Sequence, residues 1–356
     1  MPPPTTQTPL LAFTESQMVK FVRAQRWPDY RATQIMRWLY QRRVRTITDM
    51  TDLPLPARSL LSQSTTVGRS PHATVLTSHD GTRKLLFTLD DGMTIESVLI
   101  PDDERLTLCV STQVGCQLDC SFCLTGQMGL KRNLKLNEII DQVLTALDLL
   151  NTDERMTNLV FMGMGEPLAN LDMLKAAITG LINKPWGLGW SPRRITVSTA
   201  GLASRLREVA GLGVNLAVSL NATTEEQRRE LMPAASELAS LKVLLAACRR
   251  YPLASHQRLT FEYVLLAGMN DQPSDARRLV QLLTGIRCKV NLIPFNEFPG
   301  SHFRRPSEQS ILQFQAILRN AGLDAFVRKS RGRDVLGACG QLGNSQLAPL
   351  TNLDTR

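Results

Sequence analysis

The sequence predicts an α/β protein: a partial barrel of six β/α units, (β/α)6, preceded by a small N-terminal helical accessory domain and a β-meander linker. Three observations predict it. From about residue 105, short apolar runs alternate with segments of helical periodicity, the pattern of a parallel sheet with helices outside it. Most of these runs end in polar or glycine-bearing motifs, and parallel barrels carry their sites at the carboxyl ends of their strands. Three cysteines, Cys116, Cys120 and Cys123, fall as C-x3-C-x2-C in the loop after the first strand of the series.

Each element has its own signal. Residues 1–13, rich in Pro and Thr, are expected to be disordered. Thr14 followed by Gln17 reads as a capping box that opens a helix to about Ala24. A second helix is expected over 31–43, with Ile35, Trp38 and Leu39 on one side, and Pro54 and Pro56 precede a short one near 57–62. Runs at 73–77, 84–89 and 93–100 are separated by His79-Asp80-Gly81 and Asp90-Asp91-Gly92 turns and read as a meander. Strands are then expected at 105–112, 157–162, 193–198, 214–219, 258–265 and 289–293. Helices are expected at 137–150, 170–183, 201–210, 224–250 (broken), 275–284 and 306–321. The expected division is an N-terminal RNA-binding unit (1–72), the meander (73–104), the partial barrel with a catalytic C-terminal segment (105–342) and a loose tail (343–356). Six units would leave the barrel open at one side for a large substrate.

Composition narrows the class. The 356 residues are 43% hydrophobic, enough for a substantial core, and no apolar run is long enough to span a bilayer. The N-terminus lacks a basic segment followed by an apolar stretch, so no secretory signal is expected. Seven irregularly spaced cysteines fit a reducing, cytoplasmic location better than a disulfide framework. The net charge is +9, and residues 1–72 hold ten Lys/Arg against four Asp/Glu, six of that excess. Trp27, Tyr30, Trp38 and Tyr40 lie among these bases. Singly, such aromatics read as core; as a cluster with arginines they suit RNA backbone and bases.

Three thiolates at this spacing can hold three irons of a cuboidal four-iron four-sulfur cluster and leave the fourth iron open to a small molecule. The alternative is a structural zinc site, which needs four closed ligands, usually with a second C-x2-C pair. No second pair exists, and His72, His79, His256 and His302 lie away from the loop in sequence. Glu96 ends an otherwise uncharged apolar run, where a carboxylate can serve as a proton acceptor. Cys109 sits near the end of the first barrel strand, and Cys339 lies in Ala-Cys-Gly-Gln-Leu, poor core material. Cys248 and Cys288 read as packed thiols. Lys131, Arg132, Arg331 and Arg333 are equally readable as solvated surface or as phosphate contacts.

The cysteine spacing resembles that of the radical S-adenosylmethionine enzymes, and Gly165-Glu166-Pro167 resembles their GGEP turn, whose glycine lets the backbone approach the methionine amino group. Glu96, Cys109, Gly163–Leu168, Ser219–Thr223, Phe261–Leu266, Val290–Asn296 and Ala338–Leu342 resemble the RlmN-type RNA adenine methyltransferases, from about residue 15 to 342. The resemblance implies methylation of carbon 2 of an adenine in 23S ribosomal RNA, at the peptidyl-transferase centre, and of the adenine 3′ of the anticodon in some tRNAs. It implies a four-iron four-sulfur cluster on Cys116, Cys120 and Cys123, with S-adenosylmethionine, two per turnover, held by Gly165, Glu166, Ser198, Ser219, Leu220, Asn221 and Asn296. Adenine carbon 2 is too electron-poor to attack a sulfonium methyl directly, so the family uses a radical. By that resemblance Cys339 takes a methyl from one S-adenosylmethionine, and a radical from the second removes hydrogen from it. The resulting methylene radical adds to the adenine, Glu96 accepts a proton, and Cys109 releases the product through a transient disulfide with Cys339. The implied partners are 23S rRNA, tRNA and an electron donor such as flavodoxin, with no membrane and a monomeric enzyme. A sister group, the Cfr type, methylates carbon 8 with the same machinery and is the nearest alternative, although Glu96 in its context favours carbon 2. A non-catalytic zinc RNA-binding protein is the alternative from another class.

Overall fold

The computed structural model describes residues 7–71, 73–255 and 257–343. His72, His256 and all but the first residue of the expected tail lie outside them. Strand β1 (Thr8–Pro9) pairs in parallel with β2 (Thr65–Thr66), and a 3-10 turn follows it over Leu10–Ala12. Residues 7–13 are therefore ordered, contrary to the expectation from composition. Leu10 and Leu11 are fully buried, and their burial, about 1.5–3 kcal/mol each, outweighs the local Pro/Thr signal.

Between these strands lie helices α1 (Glu15–Ala24), α2 (Tyr30–Tyr40) and α3 (Leu55–Ser64). The predicted capping box is present: Thr14 N donates to Gln17 Oε1 at 2.8 Å, and Gln17 N donates back to Thr14 Oγ1 at 3.4 Å. Helix α2 ends three residues short of the expected Arg43, which adopts a positive φ of 52°. Of the four aromatics among the basic residues, Tyr40 is core and Tyr30 is 60% exposed, while Trp27 and Trp38 pack against the core edge.

Strands β3 (Ala73–Thr77), β4 (Arg83–Thr88) and β5 (Thr94–Asp102) form the meander. They do more than connect: β5 pairs antiparallel with β6 (Arg105–Cys109), so the meander continues the main sheet. Next come β7 (Gln113–Val114), α4 (Leu124–Gln127), β8 (Arg132–Asn133), α5 (Leu136–Asp148), β9 (Asn158–Phe161) and α6 (Leu171–Ile182). They are followed by β10 (Ile195–Thr199), α7 (Leu206–Ala210) and β11 (Asn215–Ser219). The expected broken helix is α8 (Glu225–Leu231), α9 (Pro233–Leu238) and α10 (Leu241–Arg249), interrupted where Pro233 cannot continue the hydrogen-bond ladder. The chain closes with β12 (Leu259–Leu265), α11 (Pro273–Leu283), β13 (Cys288–Pro294), α12 (Glu308–Asn320) and β14 (Ala325–Val327).

One ten-stranded sheet runs β14-β13-β12-β11-β10-β9-β6-β5-β4-β3. From β6 to β14 all pairs are parallel and each strand lies beside the one before it. An order that never reverses, with right-handed crossovers, keeps the helices on one side, as in a barrel and unlike a doubly wound sheet. The two ends of the sheet do not pair with each other among the described residues, so the barrel is open. The sequence did not signal β14, whose three residues carry no readable periodicity.

Candidate active site

The cysteine loop begins where β6 ends and is pinned at its base by the β7–β8 ribbon, with Lys131 N donating to Val114 O at 2.9 Å. Gly115 turns the chain with φ +74, and a Cβ there would lie 1.9 Å from Gly129 O. Gly126 lies against the backbone of Cys120, where a Cβ would come within 2.8 Å of its nitrogen. Cys116, Cys120 and Cys123 are packed beside Leu118, Phe122, Leu231 and Met232. Burial pushes all three thiols up, Cys116 to about 12, and at Cys120 the neighbouring Cys123, Cys116 and Glu166 add to the shift. Removing the protons of three thiols inside these low-dielectric walls calls for a cationic occupant. Among the described residues no three His, Cys, Asp or Glu side chains converge to hold one ion, as a zinc site requires. Three sulfur donors on one short loop, packed on the same apolar cluster, suit the iron of an iron–sulfur cluster.

The turn after β9 lies beside the loop. Gly163 is wedged against Ser111, whose Oγ would stand 2.6 Å from a Cβ, and Gly165 has φ +98 with Gln113 only 2.4 Å from where its Cβ would be. Glu166 N donates to Gln113 Oε1 at 2.8 Å. The Glu166 carboxylate accepts from Leu168 N (3.0 Å) and Ala200 N (2.9 Å), yet burial outweighs these bonds and raises it to about 7. Ser198, next to last in β10, and Ser219, the last residue of β11, have their hydroxyls 3.5 Å apart. The Leu220 side chain is fully buried. Asn221 has φ +56, and its amide oxygen accepts from Val264 N at 2.9 Å, so that oxygen braces the neighbouring strand. Asn296 donates to the Cys339 carbonyl at 3.1 Å, while its own Oδ1 is buried without a partner.

The C-terminal segment crosses this site. Leu124 N, just after Cys123, donates to Gly340 O at 2.8 Å, and Thr125 Oγ1 donates to Leu342 O at 2.6 Å. Gln341 Nε2 donates to Glu297 O at 2.6 Å. Gly343, expected in a loose tail, donates to Glu96 Oε2 at 3.0 Å. These bonds bring Cys339 to Glu96 and the cysteine loop, although more than 200 residues separate it from both in sequence. Water reaches the Cys339 thiol, but protein surrounds it; burial, then Cys109, Cys123 and Glu262, push it up to about 12. Cys109 is buried at the end of β6, and burial raises it to about 12 as well. All seven cysteines are free thiols, and Cys248 and Cys288 are packed away as expected.

Sequence reasoning missed several partners. Lys84 on β4 forms a buried ion pair with Glu96, Nζ to Oε2 at 2.9 Å, and donates to Leu336 O at 3.3 Å. Lys84 and the adjacent Leu85 are both buried, so β4 shows no in–out alternation that would have marked the lysine. Glu262 is buried on β12 against Asn291. Arg132, a candidate phosphate contact, is instead clamped between Asp91 and Glu138 at 2.6–2.9 Å. Arg331 faces Asp102 at 3.8 Å, and Arg333 is exposed.

Comparison with known proteins agrees with this geometry. Residues 110–280 match the Radical SAM superfamily, and residues 8–67 match the ribosomal RNA large subunit methyltransferase N-terminal domain. A dual-specificity RNA methyltransferase RlmN from Syntrophotalea carbinolica is 49% identical over 95% of this chain and 90% of its own. The chain belongs to the RlmN family. Another RlmN, from Syntrophobacter fumaroxidans, is 50% identical over 93% of this chain and 96% of its own. The crystal structure of a radical SAM methyltransferase from Sphaerobacter thermophilus superposes with a TM-score of 0.88 at 41% identity, covering 94% of this chain and 99% of that one. The protein is thus a radical S-adenosylmethionine methyltransferase with the radical SAM fold, and its family uses S-adenosylmethionine and a four-iron four-sulfur cluster. No helix among the described residues is long and apolar enough to cross a membrane.

Proposed function

We propose that the chain methylates carbon 2 of an adenine in 23S rRNA and of the adenine 3′ of the anticodon in some tRNAs, with Cys339 as the methyl carrier. The reading takes the enzyme to be a cytoplasmic monomer reduced by a donor such as flavodoxin, and to use two S-adenosylmethionine molecules per turnover. The observation that carries it is the C-terminal strap, bonded at Gly340 to the cysteine loop and at Gly343 to Glu96.

Cys116, Cys120 and Cys123 would hold the cluster, and Gly165, Glu166, Ser198, Ser219, Leu220, Asn221 and Asn296 would surround S-adenosylmethionine. When bound, that pair supplies a carbon radical able to attack an unreactive C–H bond. Cys339, a neutral thiol at rest, must lose its proton before it can take a methyl, because only a thiolate is nucleophilic. Glu96 Oε2 is held by Lys84 and Gly343, while Oε1 is buried with no partner and is the oxygen that would receive the adenine proton. Cys109, once it has given up its proton, then attacks the Cys339 sulfur: the disulfide forms as the bond from that sulfur to the product carbon breaks, and that carbon leaves with the electron pair and takes up a proton to become the methyl group.

Two variants test this. Cys339→Ala should bind RNA yet give neither product nor crosslink. Cys109→Ala should begin the reaction and stall, accumulating protein joined to RNA through Cys339 in a band that survives denaturing electrophoresis and vanishes with nuclease. Normal turnover by either would sink the two-thiol mechanism. Mass spectrometry of the released nucleosides separates 2-methyladenosine from the 8-methyl isomer, and the latter would overturn the carbon-2 assignment.

A further inference from the structure

Arg228 on α8 is completely buried, the largest side chain so enclosed among the described residues. Its Nε donates to Ala239 O at 3.2 Å, and its Nη2 donates to Ala200 O at 3.1 Å and Ala235 O at 3.5 Å. All three partners are neutral carbonyls, and Nη1 has no partner. Glu225 acts on the guanidinium from a distance, but its carboxylate accepts from Leu241 N at 2.8 Å. A buried cation without a counter-ion is strongly unfavourable, so its retention calls for an anion that the polypeptide does not supply.

The cysteine loop lies on the same helix. Ser121 N donates to Leu231 O at 3.0 Å, and its hydroxyl reaches Leu231 O and Glu230 O at 3.3 and 3.4 Å, one turn along α8 from Arg228. Cys116, Cys120 and Cys123 pack on the cluster that contains Leu231, Met232 and Ala235, and Arg228 and Cys120 feel each other's charge. Ala200 links the arginine to the neighbouring binding turn, since its carbonyl accepts from Arg228 while its N–H donates to Glu166.

We infer that Arg228 is a positioning residue for electron transfer: its guanidinium is the buried counter-charge of the iron–sulfur cluster and raises the cluster's reduction potential. The inference rests on reading the three cysteines as cluster ligands. Reduction adds one electron to an already anionic thiolate-ligated site. A fixed cation in a low-dielectric wall favours that product, and net charge and burial are among the quantities that set such potentials.

The experiment uses the full chain, reconstituted anaerobically with iron and sulfide, as wild type, Arg228→Gln and Arg228→Lys. Iron content is counted, and the midpoint potential is read by redox titration followed by electron paramagnetic resonance. Arg228→Gln should hold wild-type iron with a midpoint shifted to more negative values, and Arg228→Lys, which keeps the charge, should stay close to wild type. A cluster that assembles only in the lysine variant supports the same conclusion. Unchanged potential in Arg228→Gln, equal shifts in both variants, or failure of both to assemble a cluster would overturn it in favour of packing. Absence of iron and sulfide from the wild type would instead overturn the cluster reading itself, and this inference with it.

Discussion

At residue scale the site is organised by buried charges that need each other. Lys84 and Glu96 are 2% and 1% exposed, so neither can turn to water if its partner is lost. Lys84→Met should leave the Glu96 carboxylate uncompensated and cost about 3–5 kcal/mol, the usual penalty for halving a buried pair. Calorimetry should therefore show a clear drop in Tm, and an unchanged Tm would mean that the pair is not what holds β4 to β5. Glu166 makes a pH prediction. Burial raises it from 4.5 to about 7, so between those values the folded protein holds a proton that the unfolded chain has released. Its contribution to stability must then fall as pH rises through that window, by roughly 3 kcal/mol. Iron-free wild type should lose Tm from pH 4.5 to 7 relative to Glu166→Gln; parallel curves would refute this. Cys116, Cys120, Cys123, Cys339 and Glu96 stand out in the sequence as candidates because their chemistry is rare or their context matches a family. Lys84 and Arg228 do not, since a lone base in a strand or in the run Glu-Glu-Gln-Arg-Arg-Glu-Leu looks solvated until tertiary contacts bury it.

At element scale, long periodic segments were readable and short ones were not. Helix α5 and strands β9 to β13 announce themselves because one face or the whole strand is buried, which imposes a period on the sequence. The two-residue strands β1 and β2 exist only because they pair across 57 residues, as Thr8 with Thr65, and no local pattern encodes that. The turn after β9 combines both kinds of information. Gly165 is required there by its φ of +98 and by the 2.4 Å gap to Gln113. Gly165→Ala should therefore abolish most S-adenosylmethionine binding in equilibrium dialysis while leaving iron content near wild type; full binding would show that the turn can relax. Lys20 on α1, Arg26 just after it and Arg42 just after α2 are exposed and make no ion pair among the described residues. If they contact phosphates, their joint replacement by Ala should lower the slope of log affinity against log salt by roughly 2, from about 0.7–0.9 per contact. An unchanged slope would remove these residues from the RNA surface.

At the scale of the molecule, the N-terminal unit is fastened to the barrel by contacts that salt cannot screen. Arg69 leaves that unit and enters the barrel side, where its Nε meets Asp141 at 2.9 Å with both side chains 2% exposed or less. Its Nη1 also reaches Asp148 at 2.8 Å and the Arg43 carbonyl at 3.0 Å, and its Nη2 reaches Thr145 at 3.0 Å. Ser70 N adds a bond to the other Asp141 oxygen at 2.8 Å. Tyr40 supplies a second fastening: its ring fills the space that a Cβ on Gly180 of α6 would need, and it packs edge-on against Trp186 at 5.2 Å. Surface ion pairs contribute little and fade with salt, whereas a buried, multiply bonded arginine does neither. Arg69→Met keeps the apolar volume but leaves Asp141 with no guanidinium, so it should cost about 3–5 kcal/mol. The loss should appear at the junction between the units, because Asp141, Asp148, Thr145 and the Arg43 carbonyl all span it or adjoin it. Limited proteolysis should then cut near residues 67–72 while the barrel fragment keeps its iron, and the wild type should resist the same treatment even in high salt. A variant that stays as resistant as wild type would show that the remaining contacts, among them Tyr40 on Gly180, Arg43 with Asp148 and Arg37 with Pro185 O, suffice to hold the two parts together.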